Sequence, residues 1–134
     1  MLGVGGLLHQ ALGSQMKILV IDDNHDAADM LAAMLEMKGH ETLAAYGPRE
    51  GLATIKVFYP DVVFLDIGMP DMDGYQVAAN IRKDPTLRQP FIVAFSAWSD
   101  AASVERAREA GFDRHLTKTC TIESVVAAID GIAV

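Results

Sequence analysis

Polar or charged side chains stand at the ends of short apolar runs in this chain. They are Asp22 and Asp23 after residues 17–21, Asp66 after 62–65, Ser96 after 91–95, and Lys118 shortly after the weaker run 112–116. Continuous apolar runs of this length are typical of strands that are buried on both faces. A carboxylate at the end of such a strand is costly unless an ion or a reaction needs it. One such Asp is more often a helix cap, but several together indicate a site.

Segments with helical spacing separate these runs, and they carry signals for their ends. Residues suited to helix starts are Asn24, Pro48, Asp73 and either Ser99 or Asp100, and residues suited to helix ends are Gly39 and Gly111. In the first helix the spacing places Met30 and Met34 on the packed face, and in the fourth it groups Val104, Ala107 and Arg108. The strict alternation of strands and helices predicts an α/β fold, a parallel sheet with helices on both faces.

The carboxyl ends of parallel strands lie at one edge of an open sheet, where ligands of such folds bind. We therefore expect Asp22, Asp23, Asp66, Ser96 and Lys118 to lie close together. Adjacent carboxylates repel one another unless a divalent cation neutralises them, and oxygen ligands without Cys or His favour Mg²⁺. A nearby ammonium and hydroxyl group suit a transferred phosphoryl group. Asp66, in the middle of the predicted site, is the candidate nucleophile that would form an acyl phosphate.

Composition limits the class of protein. The 134 residues suit a single domain, and a hydrophobic content of 51% excludes disorder. A net charge of −7 argues against direct binding of nucleic acid. The apolar stretches are too short for a membrane span, and the one cysteine, Cys120, suits a reducing cytoplasm. Residues 1–16 differ in composition and predict a flexible leader, so we place the domain at residues 17–134.

The chain from Lys17 to about Ile132 resembles the receiver domain of two-component response regulators. The matching features are Asp22-Asp23 after the first strand, the block from Leu65 through Asp66 to Gly74, Ser96-Ala97 after the fourth strand, and Lys118 after the fifth. The resemblance implies a flavodoxin-like (βα)5 sheet with strand order 2-1-3-4-5. It also implies a phosphoacceptor rather than an enzyme that turns over an external substrate. The implied partners are a histidine kinase or phosphotransfer protein and an unidentified downstream protein.

The resemblance also assigns a role to each candidate residue. Asp66 would accept the phosphoryl group, Ser96 would hydrogen-bond to it, and Lys118 would pair with its charge. The implied ligands of Mg²⁺ or Mn²⁺ are Asp23, Asp66 and the backbone carbonyl of Gly68, with Asp22 acting through a metal-bound water. Ser96 and His115 would move on phosphorylation, and the face formed by the fourth helix, fifth strand and fifth helix would then bind a partner or a second copy.

Two positions depart from the family pattern. His115 stands where Tyr or Phe is common, so it either fills that slot, with its protonation biasing the switch, or is an ordinary half-exposed histidine. Thr119 replaces the usual proline after the lysine, and we expect a trans Lys118–Thr119 bond, because a cis bond there would cost about 2.5–4 kcal/mol. We expect no output domain, and a bacterial, cytoplasmic protein that acts alone or is a segment of a hybrid kinase.

Other classes of protein are compatible with parts of the pattern. Residues 22–26 resemble the start of an EF-hand loop, but Ala27 and Ala33 stand where that loop needs Gly and Glu. A haloacid-dehalogenase-type phosphatase would also use Asp, Ser, Lys and Mg²⁺, but it needs a second Asp two residues after the nucleophile, where this chain has Gly68. A third class is an interaction module with a receiver fold that works without phosphorylation, and only a phosphorylation assay excludes it.

Overall fold

The structure, a computed structural model, describes residues 15–130 and 132. Its strands are β1 (Lys17–Ile21), β2 (Glu41–Ala45), β3 (Val62–Asp66), β4 (Phe91–Ser96) and β5 (Arg114–Thr117). Its helices are α1 (His25–Met37), α2 (Pro48–Phe58), α3 (Gly74–Lys83), α4 (Ala101–Ala110) and α5 (Ile122–Asp130). Strands and helices therefore alternate along the chain, as the apolar runs predict.

The strands form one parallel sheet in the order β2-β1-β3-β4-β5. This confirms the predicted doubly wound α/β fold and its strand order 2-1-3-4-5. The order reverses at β1, because the chain passes from β1 to β2 on one side and returns to β3 on the other. Ile21 pairs with Leu65, so the chain leaves β1 and β3 side by side at this reversal. Sites in doubly wound folds form at such a point.

Helices cover both faces of the sheet, which explains why the strands lack polar alternation. Phe64 and Leu65 are both fully buried, but they belong to different core layers. Leu65 packs with side chains of α2, α3 and α4, including Ile55, Val77, Ile81 and Ala107. Phe64 packs with side chains of α1 and α5, including Leu31, Leu35, Val125 and Ile129. Successive strand side chains point to opposite faces, and both faces are apolar here.

The predicted helix ends are largely confirmed. The side chain of Asn24 accepts a hydrogen bond from the amide of Ala27 at the start of α1. Asp73 forms a reciprocal capping box with Gln76 at the start of α3. Of the two candidates for α4, Asp100 is the cap, and its carboxylate accepts from the backbone amide of Ser103. These caps fix where each helix begins relative to the preceding loop.

Two predicted helix faces were wrong in part. Met30 is 64% exposed and Met34 is half-buried, because α1 packs against the sheet through Ala28, Leu31, Ala32 and Leu35. In α4 the predicted group of Val104, Ala107 and Arg108 also separates, since only Ala107 is buried. Apolar residues three or four apart define more than one stripe on a helix. The stripe with small or branched side chains packs against the sheet, because it allows the closest contact.

The amino-terminal end of the domain differs slightly from the prediction. Met16, the last residue of the predicted leader, is buried in the core, and its amide donates to Nδ1 of His40. The ordered core therefore begins one residue earlier than the prediction has it. Of the rest of the predicted leader, Gln15 is exposed, and residues 1–14 lie outside the described residues. Within the part of the chain that the structure describes, no helix has the length and apolar character to cross a membrane.

Candidate functional site

A cleft of about 290 Å³ opens at the carboxyl edge of the sheet. Its lining residues are Asp22, Asp23, Asn24, Asp66, Gly68, Ala97, Trp98 and Lys118. The loops after β1, β3, β4 and β5 each contribute, as expected for strands that run in parallel. Gly74 allows α3 to begin directly against the end of β3, because a Cβ there would lie 2.5 Å from the carbonyl oxygen of Asp66.

Carboxylates dominate this cleft. Oxygens of Asp22, Asp23 and Asp66 all lie within 4.8 Å of one another. Asp22 and Asp66 are buried, whereas Asp23 lies on the exposed rim. Backbone amides orient the buried pair, since Asn24 N donates to Asp22 Oδ1 at 3.0 Å and Gly68 N donates to Asp66 Oδ1 at 3.2 Å. The fold therefore brings the three predicted acidic residues together.

Lys118 is the cation of the cleft. Its Nζ lies 2.9 Å from Asp22 Oδ2 and 3.3 Å from Asp66 Oδ1. Its backbone amide donates to the carbonyl of Ser96 at 2.8 Å, which attaches the loop after β5 to the end of β4. The Lys118–Thr119 bond is trans, as predicted from the absence of proline. The missing proline therefore does not prevent the lysine from reaching Asp66.

Negative charge exceeds positive charge in the cleft, and this shifts the pKa values of Asp66 and Lys118. Burial and the neighbouring Asp22 raise the pKa of Asp66 to about 6, although Lys118 opposes the rise. Burial lowers the pKa of Lys118, but the hydrogen bond to Asp22 and the charge of Asp66 outweigh it and raise the pKa overall. The cleft thus holds one ammonium and three carboxylates, of which the ammonium contacts two. An all-oxygen ligand set with excess negative charge fits a hard divalent cation such as Mg²⁺ or Mn²⁺.

Ser96 and His115, the two predicted switch residues, do not line the cleft. The hydroxyl oxygen of Ser96 is buried and accepts a hydrogen bond from the backbone amide of Trp98 at 3.0 Å. Nε2 of His115 lies 2.7 Å from the carbonyl oxygen of Trp98. Nδ1 of His115 is buried and has no hydrogen-bond partner. Ser96 and His115 therefore both contact Trp98 in the loop after β4, and neither lines the cleft at Asp66.

Trp98 is the connection that the sequence pattern did not predict. Its backbone binds Ser96 on one side and His115 on the other. Its indole lies beside Gly68, where a Cβ would be 3.4 Å from the ring. The hydrogen bond between His115 and Trp98 uses the main-chain carbonyl of Trp98, and residue type and spacing carry no signal for a contact of this kind.

The sequence model of the response regulator receiver domain family matches residues 18–130. Protein PilH of Pseudomonas aeruginosa is 32% identical over 117 residues, which cover 87% of this chain and 96% of that protein. A two-component response regulator from Clostridium difficile is 31% identical, with a TM-score of 0.78 and coverage of 86% and 93%. Chemotaxis protein CheY4 of Vibrio cholerae has a TM-score of 0.83 and coverage of 90% and 100%, but at 22% identity this concerns the fold alone. Fold, acidic cleft and family match agree, and the chain belongs to the response regulator receiver domain family.

Proposed function

We propose that a carboxylate oxygen of Asp66 accepts a phosphoryl group from the phosphohistidine of a histidine kinase or phosphotransfer protein. The observation that supports this most is the position of Lys118 Nζ, 3.3 Å from Asp66 Oδ1 and 2.9 Å from Asp22 Oδ2. A structural ion pair would need a single carboxylate, but this ammonium contacts two, and oxygens of these two lie within 4.8 Å of an oxygen of a third, Asp23. Buried charge that is left uncompensated in a cleft is more typical of a functional site than of a stabilising contact.

The proposed reaction is a displacement at phosphorus. An oxygen of ionised Asp66 attacks the phosphorus atom, the P–O bond forms, and the P–N bond to the donor imidazole breaks. The imidazole nitrogen keeps the electron pair and takes up a proton from solvent, so the products are an acyl phosphate and neutral histidine. Lys118 balances charge on the phosphoryl oxygens. The Ser96 hydroxyl, which accepts from Trp98 N, would donate to one of those oxygens after the loop moves.

Asp22, Asp23 and Asp66 are the side chains that would hold Mg²⁺ or Mn²⁺, with Asp22 acting through a water and the Gly68 carbonyl as a further ligand. Their oxygens are close enough to share one ion. A divalent cation supplies positive charge that neutralises the carboxylates and the incoming phosphoryl oxygens. Gly68 already approaches Asp66 through its amide, which keeps this loop next to the carboxylate.

We further propose that phosphorylation is read out on the face formed by α4, β5 and α5. An acyl phosphate adds roughly −1.5 to −2 charge at neutral pH, which would draw Ser96 toward Asp66. Since Trp98 connects Ser96 to His115 on β5, a shift of the loop reaches this face. A downstream protein or a second copy would bind there, in the cytoplasm and without direct contact to nucleic acid. No turnover of an external substrate is expected.

Intact-mass measurement with acetyl phosphate, with and without Mg²⁺, tests the proposal. Wild type should gain one phosphoryl adduct that depends on Mg²⁺, and Asp66→Asn should gain none. Asp71→Asn is the matched control: Asp71 lies in the same loop but is exposed, and Asn tolerates its φ of 73°. No adduct on folded wild type would leave an interaction module that works without phosphorylation. Continuous release of phosphate from phosphate esters would indicate a phosphatase instead.

A further inference from the structure

The two ring nitrogens of His115 have opposite surroundings. The residue is half-buried on β5 and lines a cavity of about 170 Å³ beside α4. Its Nε2 lies 2.7 Å from the carbonyl oxygen of Trp98. Its Nδ1 is buried, and among the described residues it has no hydrogen-bond partner. The ring is therefore bound on one side and unpartnered on the other.

These surroundings select one protonation state of the ring. A carbonyl oxygen only accepts hydrogen bonds, so Nε2 carries the hydrogen in the contact with Trp98. In the neutral imidazole Nδ1 is then an acceptor without a hydrogen. A second proton would create a buried N–H donor and a positive charge with no acceptor among the described residues, which costs more free energy than an unpaired neutral nitrogen. The observed position suits the neutral ring and not the imidazolium.

The charged groups that line the cavity with His115 would not stabilise an imidazolium. They are two arginines and one carboxylate, Arg108 of α4, Arg114 of β5 and Asp113. The carboxylate of Asp113 lies 2.8 Å from Arg82, and Glu105 of α4 is paired with Arg108. Both carboxylates are thus already neutralised. The positive charge of Arg114 remains, and it would repel a protonated ring.

The other elements around His115 present uncharged groups or charges with partners of their own. In the register of the sheet, His115 pairs with Ala94 of β4. Asp100, the charged residue in the loop after β4, caps α4 through Ser103. Helix α5 packs on the opposite face of the sheet, with Leu116. A protonated ring at this position would therefore leave its contact and turn toward solvent.

We propose that His115 makes the readout of phosphorylation depend on pH, because only the neutral ring holds the Trp98 carbonyl. Protonation of the ring releases this carbonyl, and the loop after β4 then no longer connects Ser96 to β5. Histidine changes its charge between about pH 5 and 8, so communication with the face formed by α4, β5 and α5 weakens as the pH falls. This inference rests on the proposed function, since it concerns the regulation of the face that reads out phosphorylation.

Nitrogen-15 NMR of the imidazole tests the inference on the unphosphorylated protein. At pH 8 the His115 ring should be neutral with its hydrogen on Nε2, and its protonation should move the backbone amide signals of Ser96 and Trp98 with the same midpoint. His115→Tyr keeps a donor that stays neutral in this range, so those amide signals should not follow such a midpoint. His40→Gln is the matched control, because His40 binds the Met16 amide before β1, and this variant should titrate as wild type does.

Acetyl phosphate with Mg²⁺ extends the measurement to the readout. At equal phosphorylation by intact mass, the amide shifts that phosphorylation causes in α4 and β5 should fall by roughly half or more from pH 8 to about pH 5.5 in wild type. In His115→Tyr these shifts should be the same at both pH values. The variant thereby removes any effect of pH on Asp66 itself from the comparison.

Three results would overturn the inference. The hydrogen could lie on Nδ1 at pH 8, the Trp98 amide could fail to follow the ring, or the readout in wild type could fall no more than in His115→Tyr. A folded chain that gains no phosphoryl group at either pH would contradict the proposed function instead. The titration of the unphosphorylated protein would still decide whether the neutral ring holds the loop.

Discussion

Charged side chains cluster at both the amino ends and the carboxyl ends of the parallel strands, but positive and negative charges balance only at the amino ends. At the amino edge, Arg82 of α3 donates to Asp113, Gln89 and the carbonyls of Pro90 and Gly111, at 2.8–2.9 Å. At the carboxyl ends of the strands, by contrast, Lys118 contacts Asp22 and Asp66, and the cluster contains a third carboxylate, that of Asp23.

This difference separates a structural network from a functional one. Each polar atom of Arg82 has a partner from another segment, so the network connects α3, the loop before β4 and the end of α4. The network is only half-buried, and it contributes to stability because each nitrogen of the guanidinium has a partner. At the carboxyl ends of the strands, burial and the neighbouring Asp22 raise the pKa of Asp66, so its ionisation costs stability. The fold tolerates that cost where a cation and a phosphoryl group are to bind.

The largest effect should follow from breaking the balanced network. Arg82→Ala leaves two carbonyls and Asp113 with fewer partners, and we expect the free energy of unfolding to fall by about 2–4 kcal/mol. Urea denaturation measures this. Arg49→Ala, whose ion pair with Asp71 is exposed, is the control and should change stability by less than about 1 kcal/mol. Equal losses in the two variants would contradict the structural role of Arg82.

A substitution in the acidic cleft should change the free energy of unfolding in the opposite direction. Asp66→Asn removes one carboxylate, and without divalent cations it should stabilise the fold at pH 7.5 by about 1–3 kcal/mol. The folded pKa of Asp66 is raised from 3.8 to about 6, so ionisation costs stability. That cost is complete above about pH 6 and disappears below about pH 4. The advantage of the variant in urea denaturation should therefore vanish at pH 4; a constant advantage would contradict the electrostatic cause.

A pair of glycines isolates the packing around Arg82. Gly111 and Gly39 both have positive φ, at 112° and 99°, but only at Gly111 would a Cβ clash, 2.6 Å from Arg82 Cγ. Both Ala variants should lose about 1 kcal/mol for the backbone conformation. Gly111→Ala should lose about 1 kcal/mol more, since Arg82 is held by its hydrogen bonds. Thermal unfolding of the two variants gives the difference, and no difference would mean that Arg82 moves aside freely.

Divalent cations should stabilise the protein through the acidic cleft and not through the Arg82 network. Mg²⁺ at 10 times its Kd should stabilise wild type by about 1.4 kcal/mol. Asp23→Asn should lose most of this gain, because Asp23 supplies part of the predicted ligand set. Arg82→Ala should keep it, since the amino edge takes no part in binding. Thermal unfolding across a Mg²⁺ titration is the measurement, and an equal gain in Asp23→Asn would remove Asp23 from the ligands.

The site is more predictable from sequence than the helix faces are. Parallel strands bring their carboxyl ends together whatever the details of packing, so Asp22, Asp23, Asp66 and Lys118 could be placed side by side from their positions alone. Met30 could not be placed in this way. Its spacing agrees with the core stripe of α1, and only contact with the sheet decides which stripe is buried.

The sequence by itself determined the alternation of strands and helices, the helix caps and the residues that end each strand, because these depend on residue type and local spacing. Tertiary structure decided the partners of those residues. Ser96 and His115 both bind the main chain of Trp98, and Lys118 divides its charge between Asp22 and Asp66. The contacts of His115 and Lys118 join segments far apart in the chain, and they exist only once the sheet has brought its strand ends together.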